Sequence, residues 1–437
     1  MMSIEKSFQI ALNYQQNEQL QEAESIYLQI LAVQRNHIES ISNLGVIYKR
    51  QGDIEKAIEF YRLALSFDSN YEIGLSNLAN CLMELEEFNE ALVCFKRLVE
   101  IQPDSLNTLR QIGAVLIQKG QLDEAITYFK TALEKLPTDV ESHWSIGNIL
   151  VRQNRLFEAR DIFTNILQLH PSHVNSQRWL SFVNHLLSDH HQVAFDYQET
   201  AINFEITGKN LGVEIAHTSG HFYELAELEF IDKNVKVKNP VIVDVGANTG
   251  NHLVYFAKVM TAAKVIPIEF HPGAIDLLKR NIFLNQLSNV DLSKLGYAVG
   301  RFPGKSTLVE HPAGDLCLNE VVASATGEIE VLPLDELVQE PIDLIKIDVE
   351  GLEIDVLEGA KKILLKYQPD VIIEVRRVNQ KRLMNFLETI SYRVLRQFDY
   401  WKYSNFYLQP IRELSQPKQL DSQVSLDFFR GKSLEIF

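Results

Sequence analysis

The chain has 437 residues, 46% hydrophobic and 23% charged, a balance that excludes a disordered tail, a collagen-like rod and a disulfide-stapled miniprotein. Its 42 basic and 58 acidic side chains leave a net charge of −16, and the deficit is shared: residues 1–190 carry 16 basic and 24 acidic groups, residues 191–437 carry 26 and 34. With no concentrated basic face, neither a nucleic-acid backbone nor an anionic lipid surface is an expected partner. Cys81, Cys94 and Cys317 have neither metal-ligand nor redox spacing, which fits a reducing compartment. Met1 to Leu20 shows no charged stretch leading into an apolar one, so no signal peptide is expected. The longest apolar runs, such as Ile112 to Ile117, are far too short to span a bilayer. A cytoplasmic protein is the expectation.

A period of 34 residues runs through the amino-terminal half without slippage. With repeats starting at Ile4, Ile38, Glu72, Leu106 and Val140, the eighth column reads Ala11, Gly45, Ala79, Gly113, Gly147. The twentieth reads Ala23, Ala57, Ala91, Ala125, Ala159, and the twenty-fourth Tyr27, Tyr61, Phe95, Phe129, Phe163. Small residues let two helices approach closely, and an aromatic fills the groove beside them. Pro103, Pro137 and Pro171 stop the second helix of their repeats. This resembles the tetratricopeptide repeat, five times over residues 4–173. Val174 to Leu187 restarts the first-helix pattern without a second helix and reads as a polar capping helix. Column 6 (Gln9, Asn43, Asn77, Gln111, Ser145) stacks carboxamides at one repeat spacing, similar to the asparagine ladder of protein O-GlcNAc transferases. Asn43, Asn77 and Gln111 are the candidate groove for a protein partner; the plainer alternative is a solvated face.

From about Phe195 apolar strands alternate with amphipathic helices, the pattern of a parallel sheet. Strands are predicted at Val241–Val245, Lys264–Phe270, Asp343–Asp348 and Val371–Val375, with a closing antiparallel pair at Arg393–Phe398 and Asn405–Leu408. Short β-rich segments with Gly314 and Gly327 predict an inserted hairpin between Leu308 and Leu334. The strand ending in Asp244 runs into Gly246-Ala-Asn248-Thr-Gly250, whose glycines permit a tight turn and a close approach of backbone to a ligand. Nineteen residues later, Glu269 ends the next strand, placed to accept the hydroxyls of a ribose. The pair fits a dinucleotide or S-adenosylmethionine. Asn248 in place of the middle glycine, and an acid at Asp244 that would repel a pyrophosphate yet suit an ammonium, favour the second.

A further string, Lys346-Ile-Asp348-Val-Glu350-Gly351-Leu-Glu353, completes a set. With Asp-Val-Gly-Ala-Asn at 244–248, Ile-Glu-Phe-x-Pro at 268–272, Asn281 and Asn285, and Pro369 with Glu374, it resembles the FkbM family of methyltransferases over roughly residues 200–410. His271 departs from the small polar residue or asparagine usual in that family. The resemblance implies a class I, Rossmann-like fold with a mostly parallel seven-stranded sheet, transferring a methyl group from S-adenosylmethionine to a hydroxyl of a glycan or secondary metabolite. Asp244, Gly246, Asn248, Gly250 and Glu269 are the cofactor-binding candidates. Asp348 and Glu350 are candidates for base and acceptor orientation. Glu353 is a third, on a first helical turn where its charge equally complements the dipole. A divalent metal between Asp348 and Glu374 is a variant, as catechol-type methyltransferases hold magnesium. His217 and His221, with Glu224, have a ligand-like spacing that more often marks ordinary core or surface histidines.

The whole reads as an all-α solenoid followed by an α/β methyltransferase: repeats over 1–173, a cap and linker with His190 and His191 over 174–195, and the catalytic domain over 196–437. Two rivals stand beside this: an adaptor with a degenerate cofactor fold, and a protein methyltransferase fed by the groove.

Overall fold

A computed structural model describes residues 3–188, 190–309, 316, 320–349, 351–400 and 403–411. Cys317, Gly314 and Glu350 lie outside the described residues. Among these the amino-terminal part is helical throughout: α1 (Ile4–Gln16), α2 (Leu20–Val33), α3 (Ile38–Arg50), α4 (Ile54–Phe67), α5 (Glu72–Glu84), α6 (Phe88–Ile101), α7 (Leu106–Gln118), α8 (Leu122–Lys135), α9 (Val140–Arg152), α10 (Leu156–Leu169) and α11 (Val174–Leu186). The odd-numbered helices α1 to α9 begin at the five repeat starts of the 34-residue period. The reason is local chemistry. Ser3, Asp53 and Ser105 cap the amino ends of α1, α4 and α7 with side-chain oxygens. Pro103, Pro137 and Pro171 sit two residues past α6, α8 and α10. Column 20 is fully buried in every repeat and column 24 at most 2% exposed. In column 8, a β-carbon on Gly113 would lie 2.4 Å from the Phe129 ring, and one on Gly45 2.6 Å from Tyr61. The glycine is the recess that the aromatic fills.

The chain divides into two compact units between Ser142 and His143, a point inside α9. In the second unit α11 packs on a helix of the α/β part, where the Ser181 hydroxyl donates to the Thr218 carbonyl at 3.4 Å.

The α/β part opens with a hairpin, β1 (Gln192–Tyr197) and β2 (Thr200–Glu205), then α12 (Leu211–Thr218) and α13 (Leu225–Asn234). Strand β1 starts inside the stretch read as linker, because Val193, Phe195 and Tyr197 alternate onto an apolar cluster. There follow β3 (Val241–Val245), α14 (Asn251–Val254), β4 (Lys264–Ile268), α15 (Pro272–Leu284), β5 (Tyr297–Val299), β6 (Gly304–Val309), β7 (Glu320–Ala323), β8 (Ile329–Leu332) and α16 (Leu334–Leu337). The last are β9 (Leu344–Ile347), α17 (Glu353–Gly359), α18 (Lys361–Tyr367), β10 (Asp370–Arg376), α19 (Gln380–Ile390), β11 (Tyr392–Asp399) and β12 (Tyr403–Pro410).

The main sheet has the order β11-β12-β10-β9-β3-β4. Pairs β4/β3, β3/β9 and β9/β10 are parallel, and β12 is antiparallel to both β10 and β11. Among the described residues this sheet has six strands, three of its five pairings parallel, and not the expected seven. The next short strand after β4, β5, instead pairs with β8, in a separate four-stranded sheet of order β5-β8-β6-β7. The predicted insertion is thus larger than a hairpin, and its edge strand β8 takes the hydrogen bonds of β5. Gly327 is packed against the Ser306 backbone, where a β-carbon would meet the carbonyl oxygen at 2.1 Å.

Period-two alternation divides the main sheet into two faces. One carries Val243, Val245, Ile345, Ile347, Ile373 and Phe406 against α16 to α19. The other carries Ile242, Leu344, Ile372 and Tyr407 against Phe222, Tyr255, Phe256 and Phe204.

Candidate functional site

The second face turns polar at its carboxyl edge. Register pairs Asp244 with Lys346 and, two residues further along β10, Glu374 with Asn405. By alternation these share the face of Ile242, Leu344 and Tyr407, and Asp348 continues it just past β9. Because β4 lies on one side of β3 and β9 on the other, the loop after β3 leaves the sheet where the order reverses, the crevice in which open α/β sheets take ligands.

Asp244 is fully buried, and neither carboxylate oxygen has a hydrogen-bond partner. The Lys346 ammonium stands 3.6 Å from Oδ1, too long for a hydrogen bond; it donates to the Gly246 carbonyl at 3.0 Å and to Asp348 Oδ2 at 3.2 Å. Burial works against that ammonium, but the charges of Asp348, Asp244 and Glu224 outweigh it and hold its pKa above the ordinary lysine value. Gly246, at φ +76°, leaves no room for a side chain: a β-carbon would stand 1.8 Å from the Asp348 carbonyl oxygen. Gly250 has φ +94°, and Asn248 itself is left-handed at φ +47°.

Glu269 is nearly buried and accepts three backbone N–H groups, from Asn248 at 2.9 Å, Phe270 at 2.9 Å and His271 at 2.8 Å. Burial raises its pKa, opposed by those three bonds. It locks the β3 loop to the end of β4. His271 performs the capping role of a small polar residue: its Nδ1 accepts from the Gly273 and Ala274 amides at the start of α15. Asn281 and Asn285 accept from the Glu205 and Asn203 amides of the opening hairpin at 2.8 and 3.0 Å, and the Asn281 amide also donates to the Thr249 carbonyl at 2.8 Å, tying the hairpin to the loop after β3.

Among the catalytic candidates, Asp348 is one-third exposed and ion-paired to Lys346. Glu353 is fully buried beneath its loop, with Oε1 accepting from the Gly351 amide at 2.5 Å and Oε2 unpartnered. Burial raises its pKa. Glu350 lies outside the described residues. His217 belongs to the core: it stacks on Phe204 at 3.6 Å, bonds Asn251 at 3.0 Å, and burial depresses its pKa to about 3. His221 bonds the Phe222 carbonyl. Among the described residues no group of three or more His, Cys, Asp or Glu side chains is placed to hold a metal ion.

Sequence reasoning named Glu224 only beside His217 and His221 and missed the set of polar groups that it joins on the same face. Glu224, just before α13, and Glu227, in its first turn, are both nearly buried. The Asn405 amide donates to both, at 3.2 and 2.7 Å, and the Tyr400 hydroxyl to Glu227 at 2.5 Å. His252 Nε2 lies 3.3 Å from Glu224 Oε2. Desolvation, reinforced by Asp348, pushes Glu224 up to about 7. Desolvation, reinforced by Glu224, pushes Glu227 up to about 8. Burial, with Lys346, holds His252 down at about 4, so it is neutral at pH 7. The only local signal was two acids three residues apart on one helical face. Their partners lie up to 181 residues away.

Comparison with known proteins agrees with this architecture. Residues 244–400 match the methyltransferase FkbM domain family. Residues 3–70 and 71–137 match one tetratricopeptide repeat family and residues 110–174 another. The chain is similar to methyltransferase sdnD of Sordaria araneosa, 29% identical over 190 residues that cover 35% of this chain and 70% of that one. It is also similar to methyltransferase 1 of Beauveria bassiana, 26% identical over 169 residues, or 30% and 67% of the two chains. A solved tetratricopeptide repeat protein from Parabacteroides merdae aligns at 21% identity and a TM-score of 0.39, covering 41% of this chain and 72% of its own. No helix among the described residues is long and apolar enough to cross a membrane. The chain thus carries a tetratricopeptide repeat array over residues 3–174 and, over residues 244–400, an FkbM methyltransferase domain.

Proposed function

We propose that this methyltransferase takes its methyl group from S-adenosylmethionine and places it on a hydroxyl of a glycan or secondary metabolite, while the repeats recruit the acceptor's carrier or another protein. One observation carries the cofactor reading: Asp244 holds two buried, unpartnered carboxylate oxygens at the turn after β3. An ammonium would satisfy them, whereas a pyrophosphate would be repelled.

When bound, S-adenosylmethionine supplies an electrophilic methyl group on a sulfonium. The chain's part is to align and desolvate. Asp244 would hold the ammonium, Gly246 and Gly250 admit the backbone close to the ligand, and Glu269 fixes Asn248 and offers its remaining lone pairs to the ribose. Holding donor and hydroxyl in line is worth up to about 7–11 kcal/mol. Asp348 and Glu350 orient the acceptor, and Glu353 shapes the loop that carries them.

For the repeats, Asn43, Asn77 and Gln111 form the candidate partner groove. Asn43 already donates to the Tyr27 hydroxyl at 3.1 Å, so Asn77 and Gln111 are the better contacts. The buried free thiols of Cys81 and Cys94 suit a reducing, cytoplasmic setting. Titration calorimetry on the full chain tests the cofactor reading: S-adenosylmethionine should bind one to one. No detectable binding, or tighter binding of NAD, overturns it.

A further inference from the structure

We propose that Glu224, rather than Asp348, receives the proton of the acceptor hydroxyl, with Glu227 as its proton-sharing partner. The inference rests on the hydroxyl-methylation reading and deepens it.

The geometry distinguishes the two candidates. Asp348 is bonded to the Lys346 ammonium at 3.2 Å, and a carboxylate held by a buried ammonium is a poor base. Among the described residues Glu224 has no such counter-ion within bonding distance: its oxygens meet the Asn405 amide at 3.2 Å and the neutral His252 at 3.3 Å. Asn405 donates to Glu224 and Glu227 together, so the two carboxyls are neighbours in a buried pocket. Two such groups cannot both ionise cheaply, and the pair retains a proton near neutrality. Groups facing Glu224 from every side agree with this. Asp348 beyond β9 disfavours its charge, and Lys346 of β9 and Asn405 favour it. His252 of α14 is kept neutral, and Tyr400 occupies the far side of Glu227. Glu224 also adopts φ +53°, a left-handed conformation costly for a non-glycine residue and usual where a functional site over-determines the backbone.

In the step proposed, the acceptor O–H bond breaks and its proton passes to the Glu224 carboxylate. The oxygen electron pair forms the C–O bond, and the pair of the broken S–C bond stays on sulfur as a neutral thioether. A base poised near the working pH contributes about 10²–10⁴-fold.

The test needs no acceptor. Calorimetry of the full chain near pH 7.5, in buffers of differing ionisation enthalpy, counts the protons released when S-adenosylmethionine binds. A cation entering this pocket should expel about half a proton from the pair. Binding of uncharged-sulfur S-adenosylhomocysteine should release less. Because the two carboxyls share the proton, Glu224→Gln and Glu227→Gln should each diminish the difference, and Asp348→Asn should leave it in place. Infrared difference spectra should show a protonated carboxyl band in the wild type that Glu224→Gln diminishes, with melting curves confirming that each variant is folded. A release unchanged in Glu224→Gln, or lost instead in Asp348→Asn, overturns the assignment. Failure of the wild type to bind S-adenosylmethionine would instead sink the cofactor reading.

Discussion

The helices α1 to α8 and the α/β part bury different chemistry. Within the first unit, the described buried polar groups are Gln15, Ser40, Ser42, Thr108, Asp139 and Ser142, of which one is an acid. Asp139 is matched: Arg110 reaches it at 3.1 Å, and it caps the Ser142 amide at 3.0 Å. Ion pairs between repeats, such as Arg62 with Glu90 at 2.8 Å, lie at the surface, where each is worth little. In the second unit Glu214, Glu227, Asp244, Glu269, Lys346 and Glu353 are all buried. Glu214 is spent on capping, taking the Thr207 and Gly208 amides. Asp244 and one oxygen of Glu353 are left unsatisfied. The first unit also leaves buried polar atoms without partners, but they are the neutral hydroxyls of Ser40, Ser42 and Ser142, whereas Asp244 and Glu353 leave carboxyl oxygens, which cost far more to bury and call for a ligand.

The largest expected effect comes from comparing two glycines that look alike in the sequence. At Gly246 a β-carbon meets backbone that has nowhere to move, so Gly246→Ala should destabilise by more than ~4 kcal/mol in denaturant unfolding. At Gly113 it meets a phenylalanine ring, which can shift, so Gly113→Ala should lose only ~1–3 kcal/mol. Equal losses would mean that the crevice is no more rigid than the repeats.

Lys346→Met leaves Asp244 and Asp348 without their ammonium. Breaking a buried pair this way should cost about 3–5 kcal/mol, and adding Asp244→Asn should recover part of it. If the single variant melts like the wild type, the charges are better solvated than their burial implies.

Asp244→Ala removes the proposed ammonium partner. Calorimetry should find S-adenosylmethionine bound ~10–150-fold more weakly, about 1.5–3 kcal/mol. Unchanged affinity would assign Asp244 to the scaffold.

The smallest effect is the pH slope. Glu224 and Glu227 titrate near 7 and 8 in the folded chain, above the ordinary carboxylate range. The folded form therefore binds more protons than the unfolded one across that window, and stability falls as pH rises towards about 8. His217 and His252, depressed to about 3 and 4, act oppositely: the unfolded form binds more protons below the ordinary histidine value, so their contribution rises with pH and is complete by about 6.5. The two opposing slopes balance at about pH 5.5, so melting temperature should peak there, and stability should decline above it by at most about 1.4 kcal/mol per pH unit for each proton. Glu227→Gln should flatten the decline.

The repeats were legible residue by residue, because their helix starts, caps and small-against-aromatic columns depend on neighbours within one turn or one repeat. The motif from Asp244 to Gly250 was legible too, since strand, turn and helix start are contiguous. His217 was not: the same residue type at the same spacing serves a ligand or a core, and only the stacked Phe204 shows which. What the tertiary structure alone decided is the departure of β5 to its own sheet and the assembly of Glu224, Glu227, His252, Tyr400 and Asn405. The first depends on which edge offers β5 free hydrogen bonds, and β8 offers them. The second depends on β12 running antiparallel to β10, which returns Asn405 to the carboxyl edge opposite Glu374. The sequence showed that β12 turns back on β11 but not that it pairs with β10, so no local pattern could have shown which buried acids would share one amide.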